Sequence, residues 1–256
     1  MFKNAIVRHP PKNFAEGLTS ATLGPPNFTK AMLQHAAYCS ALRRCGLQLT
    51  ILPQDPLYPD SHFVEDAAVL TRASAVMARP GADSRLGEVS AVREALRLFF
   101  NSFDEITAPG TLDGGDICEA GNHFFIGVSR RTNEACASQL AAVLVREGYS
   151  SSLVDIRGMK SILHLKSGIA WVGEKDLVVM EEMAGREEFR GFKIIKVSSR
   201  ETYAANCVRV NDRVLIPSGF LDTAAALQRL KYSLVPLEMS EFEKMDGGLS
   251  CLSLRF

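Results

Sequence analysis

The sequence contains no run of the roughly 18 consecutive apolar residues that a membrane-spanning helix needs. Its opening, MFKNAIVRHPPKN, also lacks the long apolar stretch of a secretory signal. The expectation is a soluble, cytoplasmic chain. An excess of one charge is missing too, since 29 Lys and Arg stand against 29 Asp and Glu. With no net field, the composition recruits neither nucleic acid nor an anionic membrane surface. The six cysteines form no CxxC pair and no zinc-finger spacing with the five histidines. That argues against a disulfide framework or a zinc module and leaves a small buried side chain as the ordinary state of each thiol. No Pro/Gly/Ser-rich linker or low-complexity tract divides the chain, so residues 1–256 are expected to form one domain with a sizeable core.

What is present is a rhythm. Gly81, Gly127, Gly173 and Gly219 stand 46 residues apart, each closing an apolar, strand-like run (Ala75–Ala78, His123–Ile126, Ile169–Val172 and Val214–Pro217). Helix-like runs follow three of them, and the third, after Gly173, is the least clear. A period of this size predicts repeated supersecondary units in a stack or ring. The unit reads as ββαβ, and five fit if Ala5–Val7 and Cys251–Phe256 close the last one from the two chain ends. Helices are expected near residues 28–45, 86–99, 133–148 and 223–231, with Asn27 as an N-cap and Gly46 just past the first helix. An echo between DGGDIC (113–118) and DGGLSC (246–251) fits either two similar tight turns or glycine pairs that permit positive φ and close backbone approach.

Reactive residue types recur at the head of each unit: Asp66, Asp113 with Asp116, His164, Asn206 and Cys251. In a ring these heads would meet. Cys251 admits two readings, a buried apolar residue or a nucleophile pressed against a ligand by the glycines before it. His164, in SILHLKSG, is either a satisfied core histidine or the matching base. PDSHFVED (59–66) groups Asp60, Glu65 and Asp66. Arg85 and Arg131 follow successive repeat glycines and could clamp a carboxylate or cap carbonyls. Residues 10–26 and 53–66 are long and irregular, as lids and substrate clamps commonly are.

At these residues the chain resembles the dimethylarginine dimethylaminohydrolases nearly end to end. The matching motifs are EGLTS (16–20), PDSHFVED (59–66), RPGADSR (79–85), APGTLDGGD (108–116), FFIGVSRRTN (124–133), LHLKSG (163–168), YAANC (203–207) and KMDGGLSCLSLRF (244–256). The resemblance implies a five-fold pseudosymmetric α/β propeller of ββαβ repeats. It also implies hydrolysis of Nω,Nω-dimethylarginine or Nω-monomethylarginine to citrulline through a covalent thiouronium. Carried over by motif, Cys251 is the nucleophile, His164 the acid and base, and Asp113 its orienting partner, at a place where some relatives carry Glu. Asp66, with Glu65 as a further candidate, would hold the guanidinium. Arg85 and Arg131 would hold the α-carboxylate, and Asp60 with the carbonyls of Leu18 and Asp246 the α-amino group. No cofactor or metal is implied, and a homodimer is expected from the resemblance and from the frequency of symmetric oligomers. Deiminases and amidinotransferases on this scaffold resemble one another in an Asp two residues after the histidine, where this chain has Lys166. A non-catalytic propeller, such as the ribosome anti-association factor of the same fold, would need neither thiol nor arginine clamp.

Overall fold

The computed structural model describes residues 1–256. The chain opens with β1 (Asn4–Arg8), α1 (Phe28–Arg44) and β2 (Gln48–Leu52). A second unit comprises β3 (Ala68–Leu70), β4 (Ala75–Met77), α2 (Glu88–Leu96) and β5 (Phe103–Glu105), and a third β6 (Ile117–Ala120), β7 (His123–Val128), α3 (Glu134–Arg146) and β8 (Ser150–Asp155). β9 (Ile169–Gly173), β10 (Asp176–Met180) and β11 (Lys193–Val197) form the fourth. The fifth is β12 (Val208–Val210), β13 (Arg213–Pro217), α4 (Leu221–Arg229) and β14 (Ser233–Leu237), followed by α5 (Ser240–Glu243) and β15 (Leu254–Arg255).

Five three-stranded sheets result, ordered β3-β4-β5, β6-β7-β8, β9-β10-β11, β12-β13-β14 and β15-β1-β2. In each, the middle strand runs antiparallel to the first strand and parallel to the third, as a hairpin followed by a crossover requires. The last sheet joins the two ends of the chain, with Ile6 paired to Leu254 on one side and Thr50 on the other. This is the five-fold α/β propeller expected. The middle strands are runs of Val, Ile, Leu, Phe and Met, buried almost throughout. The third strands mix exposed and covered positions. Helix α1 starts where the Asn27 side chain accepts the Lys30 N–H at 2.9 Å. It buries Ala31, His35, Tyr38 and Leu42 along one face, and the chain leaves it through Gly46 at φ +90°.

Two expectations are corrected. The 46-residue comb is not the structural repeat: Gly81 and Gly219 follow middle strands and Gly127 lies within one, whereas Gly173 ends a first strand. At φ +142° it turns the β9–β10 hairpin, and the apolar run Leu177–Val179, with two β-branched valines, then pairs on both sides as a strand where the comb places a helix. The crossover of this unit contains two 3₁₀ turns, Glu181–Met183 and Glu187–Phe189, and no α-helix. The DGG echo does not superpose either. Cys118 is on β6 in the core, while Cys251 lies in a turn before β15. None of the glycines in the two DGG segments, Gly114, Gly115, Gly247 and Gly248, has positive φ, which falls instead on Asp246 at +55°.

The heads carry the real repeat. Short 3₁₀ turns at Val64–Ala67, Gly114–Asp116, Leu165–Ser167 and Thr202–Ala205 precede four first strands, and the turn bearing Cys251 precedes the fifth. The first strands surround a central chamber of about 690 Å³. Hydrogen bonds link the five heads into a closed ring. Gly115 N–H donates to Asp66 Oδ1 (2.8 Å), Leu165 N–H to Asp116 Oδ1 (2.9 Å), and Asn206 Nδ2 to the Lys166 carbonyl (3.0 Å). Ser250 N–H donates to Asn206 Oδ1 (2.9 Å) and Glu65 N–H to the Cys251 carbonyl (3.2 Å).

Candidate active site

Because the heads face one another, residues far apart in sequence share one cavity. Cys251 and His164 lie in its wall with Leu18, Asp60, Asp66, Arg85, Arg131 and Asp246. The cavity is small, about 20 Å³, because a covering segment is latched over it. Leu18 N–H donates to Asp60 Oδ2 at 3.0 Å, and Asp246 Oδ2 accepts from Ser20 N–H at 2.5 Å and from Ser20 Oγ at 2.9 Å. The much larger central chamber lies on the other side of the head turns and contains neither Cys251 nor His164.

His164 is buried, and its Nε2 meets Asp113 Oδ2 at 3.1 Å. Burial alone would pull its pKa down, but the charges of Asp66, Asp116 and Asp113, with the Asp113 hydrogen bond, more than reverse this and raise it to about 9. Burial opposes ionisation of Asp113 too; the bond to His164 and the imidazolium charge override it and lower the carboxyl to about 2. Both therefore carry charge near neutral pH. Asp113 is held in turn by the Gly81 N–H at 2.9 Å. Gly81 must be glycine, since a Cβ would come within 2.3 Å of the Arg131 carbonyl oxygen. Gly115 is equally constrained, as its Cβ would meet His164 Nδ1 at 2.8 Å and Asp66 Oδ1 at 2.9 Å.

Cys251 is in a different electrostatic state. Burial, then the charges of Glu65 and Asp66, push its thiol up to about 12. The Gly248 N–H, at 3.4 Å from Sγ, works in the opposite direction. At rest the sulfur is a protonated thiol beside an imidazolium.

The two arginines differ. Arg85 gives Nη1 to Asp66 Oδ2 at 2.7 Å, Nη2 to Glu88 Oε2 at 2.7 Å, and Nε to both Glu88 oxygens at 3.1 Å. The Arg131 side chain makes no hydrogen bond, and its Nη1 is buried without a partner. Glu65 does not reach the cavity. It neighbours Asp66 in a tight turn and projects the opposite way, accepting from Ser250 Oγ at 2.7 Å and pairing with Lys166 Nζ at 2.7 Å. Lys166 thus faces away from the cavity as well.

Ligand atoms of Asp66, Asp113 and His164 lie within 4.8 Å of one another, near enough to surround a cation. A protonated imidazole and the Arg85 guanidinium already supply positive charge there, so the arrangement suits an ion-paired acid better than a metal ligand set.

A family profile described as arginine deiminase matches residues 93–215. The chain is 43% identical, over all of both chains, to N(G),N(G)-dimethylarginine dimethylaminohydrolase of Pseudomonas aeruginosa. The chain belongs to the dimethylarginine dimethylaminohydrolase family. Its relative in Streptomyces coelicolor is 34% identical over 99% of this chain and 96% of that one. A cysteine-to-serine variant of the Pseudomonas aeruginosa enzyme, solved with citrulline, superposes with a TM-score of 0.96 over the full length of both chains. A histidine-to-glycine variant of a dimethylarginine dimethylaminohydrolase, solved as an adduct with S-methyl-L-thiocitrulline, superposes equally well.

Within this family frame, three apolar wall residues, Phe63, Leu163 and Met245, escape a reading based on reactive side chains. Asp116, fully buried and accepting from Ser129 Oγ at 2.6 Å, is legible only through its place in DGGD. Glu88, which holds Arg85, has no sequence signal beyond its three-residue spacing from that arginine.

Proposed function

We propose that the chain hydrolyses Nω,Nω-dimethylarginine and Nω-monomethylarginine to citrulline with release of dimethylamine or methylamine. The observation that carries this reading is the unpartnered guanidinium nitrogen of Arg131 in the same small cavity as Cys251, His164 and Asp66. Such a cavity offers a cation for a carboxylate at one place and a carboxylate, a thiol and a proton donor at another. A substrate that matches both is an amino acid with a cationic, electrophilic carbon at its far end.

In this reading Arg131, helped by the Nη1 edge of Arg85, takes the α-carboxylate. Asp60 and the carbonyls of Leu18 and Asp246 take the α-ammonium, and Asp66 takes the unmethylated guanidinium nitrogen. The substrate cation lowers the Cys251 pKa, and the thiol proton passes to solvent water because His164 is already protonated. The thiolate adds to the guanidinium carbon, and its C–N bond to the methylated nitrogen breaks as His164 delivers a proton to the departing amine. Neutral His164 then takes a proton from water, the hydroxide adds to the thiouronium carbon, and the C–S bond breaks to return the thiolate while the added hydroxyl gives its proton to solvent and leaves citrulline. Asp113 keeps the imidazole oriented and favours its charged form. The cysteine supplies the covalent chemistry, so the scheme calls on no cofactor.

Citrulline binding to the cysteine-to-serine relative and adduct formation by the other variant support this product and this nucleophile. The test is incubation of the purified protein with Nω,Nω-dimethylarginine and assay of citrulline and dimethylamine in equal amounts. Their absence would overturn the reading. The polypeptide is proposed to act as one catalytic domain in the cytoplasm, as a homodimer.

A further inference from the structure

Asn206 stands at the head of the fifth unit yet has no part in the proposed chemistry. It is buried, and its side chain makes three hydrogen bonds. Nδ2 donates to the Lys166 carbonyl at 3.0 Å and to Ser250 Oγ at 3.1 Å, while Oδ1 accepts the Ser250 N–H at 2.9 Å. One end therefore grips the turn that follows His164, and the other grips the residue before Cys251.

The nucleophile turn has no strand or helix to fix it. Side chains hold it instead: Tyr203 Oη on the Gly247 carbonyl and Tyr38 Oη on the Leu249 carbonyl, each at 2.9 Å, and Glu65 on Ser250 Oγ. Neither tyrosine hydroxyl hydrogen-bonds to the histidine turn. The Glu65 link to that turn runs through the long side chain of Lys166. Asn206 is the short, direct bridge between the two. It also packs on Gly248, where a Cβ would come within 2.5 Å of its Cγ, and Gly248 is the residue whose N–H faces the sulfur.

In the ring of heads, Asn206 Oδ1 does for Ser250 what Asp66 Oδ1 does for Gly115 and Asp116 Oδ1 for Leu165. Two of these three equivalent places hold a carboxylate, and the one nearest the nucleophile turn holds an amide. An aspartate there would lose the donor that satisfies the Lys166 carbonyl and would set a further negative charge beside a thiol already flanked by Glu65 and Asp66.

We propose that Asn206 is a positioning residue that sets the nucleophile turn in register with the histidine turn, and that it must be neutral. This inference rests on the functional reading above. A displacement of about 1 Å between reacting groups costs on the order of 100-fold in rate. The test compares Asn206→Ala and Asn206→Asp with Tyr38→Phe, which loosens the same turn without touching the histidine side. Both Asn206 variants are expected to lose roughly 10- to 100-fold in kcat with KM held within about threefold, because the proposed contacts of Leu18, Asp60, Asp66, Arg85 and Arg131 come from other segments and only the Asp246 carbonyl adjoins this turn. Asn206→Asp should also move the pH midpoint for alkylation of Cys251 upward, whereas Asn206→Ala should not move it that way. Tyr38→Phe should lower Tm with a smaller loss of kcat. Equal losses of kcat and Tm in Tyr38→Phe and Asn206→Ala would make Asn206 one more structural anchor and overturn the proposal. So would a kcat for Asn206→Ala within twofold of the parent. If the parent protein forms no citrulline, the functional reading fails instead, and alkylation decides this one: an unchanged midpoint in Asn206→Asp overturns it.

Discussion

Asp66 and Arg85 form a buried ion pair at 2.7 Å, and the other Asp66 oxygen takes the Gly115 N–H at 2.8 Å. The carboxylate proposed to hold the substrate guanidinium is thus itself held by a guanidinium. That keeps it oriented before any substrate arrives. Arg85→Ala should leave Asp66 and Glu88 buried without their cation, at about 3–5 kcal/mol of stability. The expected sign is a Tm lowered by roughly 6–20 °C. Arg131→Ala should leave Tm nearly unchanged and raise KM for the substrate while discriminating far less against its decarboxylated analogue. Unchanged discrimination would make Arg131 structural.

Cys251→Ser should lose essentially all turnover while substrate affinity stays within a few-fold, because a serine hydroxyl is almost wholly protonated and lacks thiolate nucleophilicity. His164→Ala should be as severe, since members of one catalytic unit are strongly non-additive. Citrulline formation retained by either variant removes that residue from the mechanism.

The sign of the pH dependence follows from His164. Its pKa is raised to about 9, so the proton needed by the leaving amine is present at neutral pH and is lost as pH rises through 9. A decline in kcat/KM on that alkaline side is expected. The stabilising contribution of the raised imidazole is complete below its ordinary value of about 6.5 and disappears over the same upward range. Asp113, lowered to about 2, keeps its contribution above about 3.8 and loses it as pH falls through 2. Asp113→Asn should move the alkaline limb to lower pH. A limb that stays in place would remove His164 from the role of acid.

Burial and the charges of Glu65 and Asp66 keep Cys251 a thiol at rest. A bound cation should reverse part of that. Alkylation of Cys251 at fixed pH is expected to accelerate when an unreactive guanidinium amino acid occupies the cavity and leaves the sulfur accessible. No change in rate, with occupancy verified by competition, would show that the substrate does not activate its own nucleophile.

Nω,Nω-dimethylarginine should be a better substrate than arginine, and the symmetrically dimethylated isomer should be poor. A dimethylated nitrogen has no N–H, so a carboxylate facing it would be desolvated without a partner, at about 1–3 kcal/mol. Lys166 occupies the place where deiminases carry that second carboxylate, and it turns away to pair with Glu65. Asp66 remains to hold an unmethylated nitrogen, which the symmetric isomer lacks. The check is kcat/KM for the three compounds under one condition. An arginine value equal to or above that of the asymmetric compound would favour a deiminase.

Local chemistry was legible in the sequence wherever it depends on neighbours along the chain. Asn27 caps its helix because a short side-chain oxygen before an apolar periodic run meets the free N–H groups of the first turn. Four of the five middle strands follow from their short apolar runs, the exception being β10, and the reactive heads follow from their place before each first strand. What the chain could not disclose depends on residues brought together from a distance. Glu65 and Asp66 are adjacent and chemically alike, yet the turn sends one to Lys166 and the other to the cavity. Arg85 and Arg131 each follow a glycine of the even spacing, but Glu88 and Asp66 ion-pair only with the first. The even spacing of four glycines suggested a repeat that the fold builds from unequal units, because pairing between strands, and not residue count, sets where a unit begins. The amino-acid order alone determined which groups stand ready to react, through the local forces that place each at a turn. Only closure of the ring, joining Asn4–Arg8 to Leu254–Arg255, decided which of them meet, since burial and charge in the shared cavity arise from contacts that the linear chain does not contain.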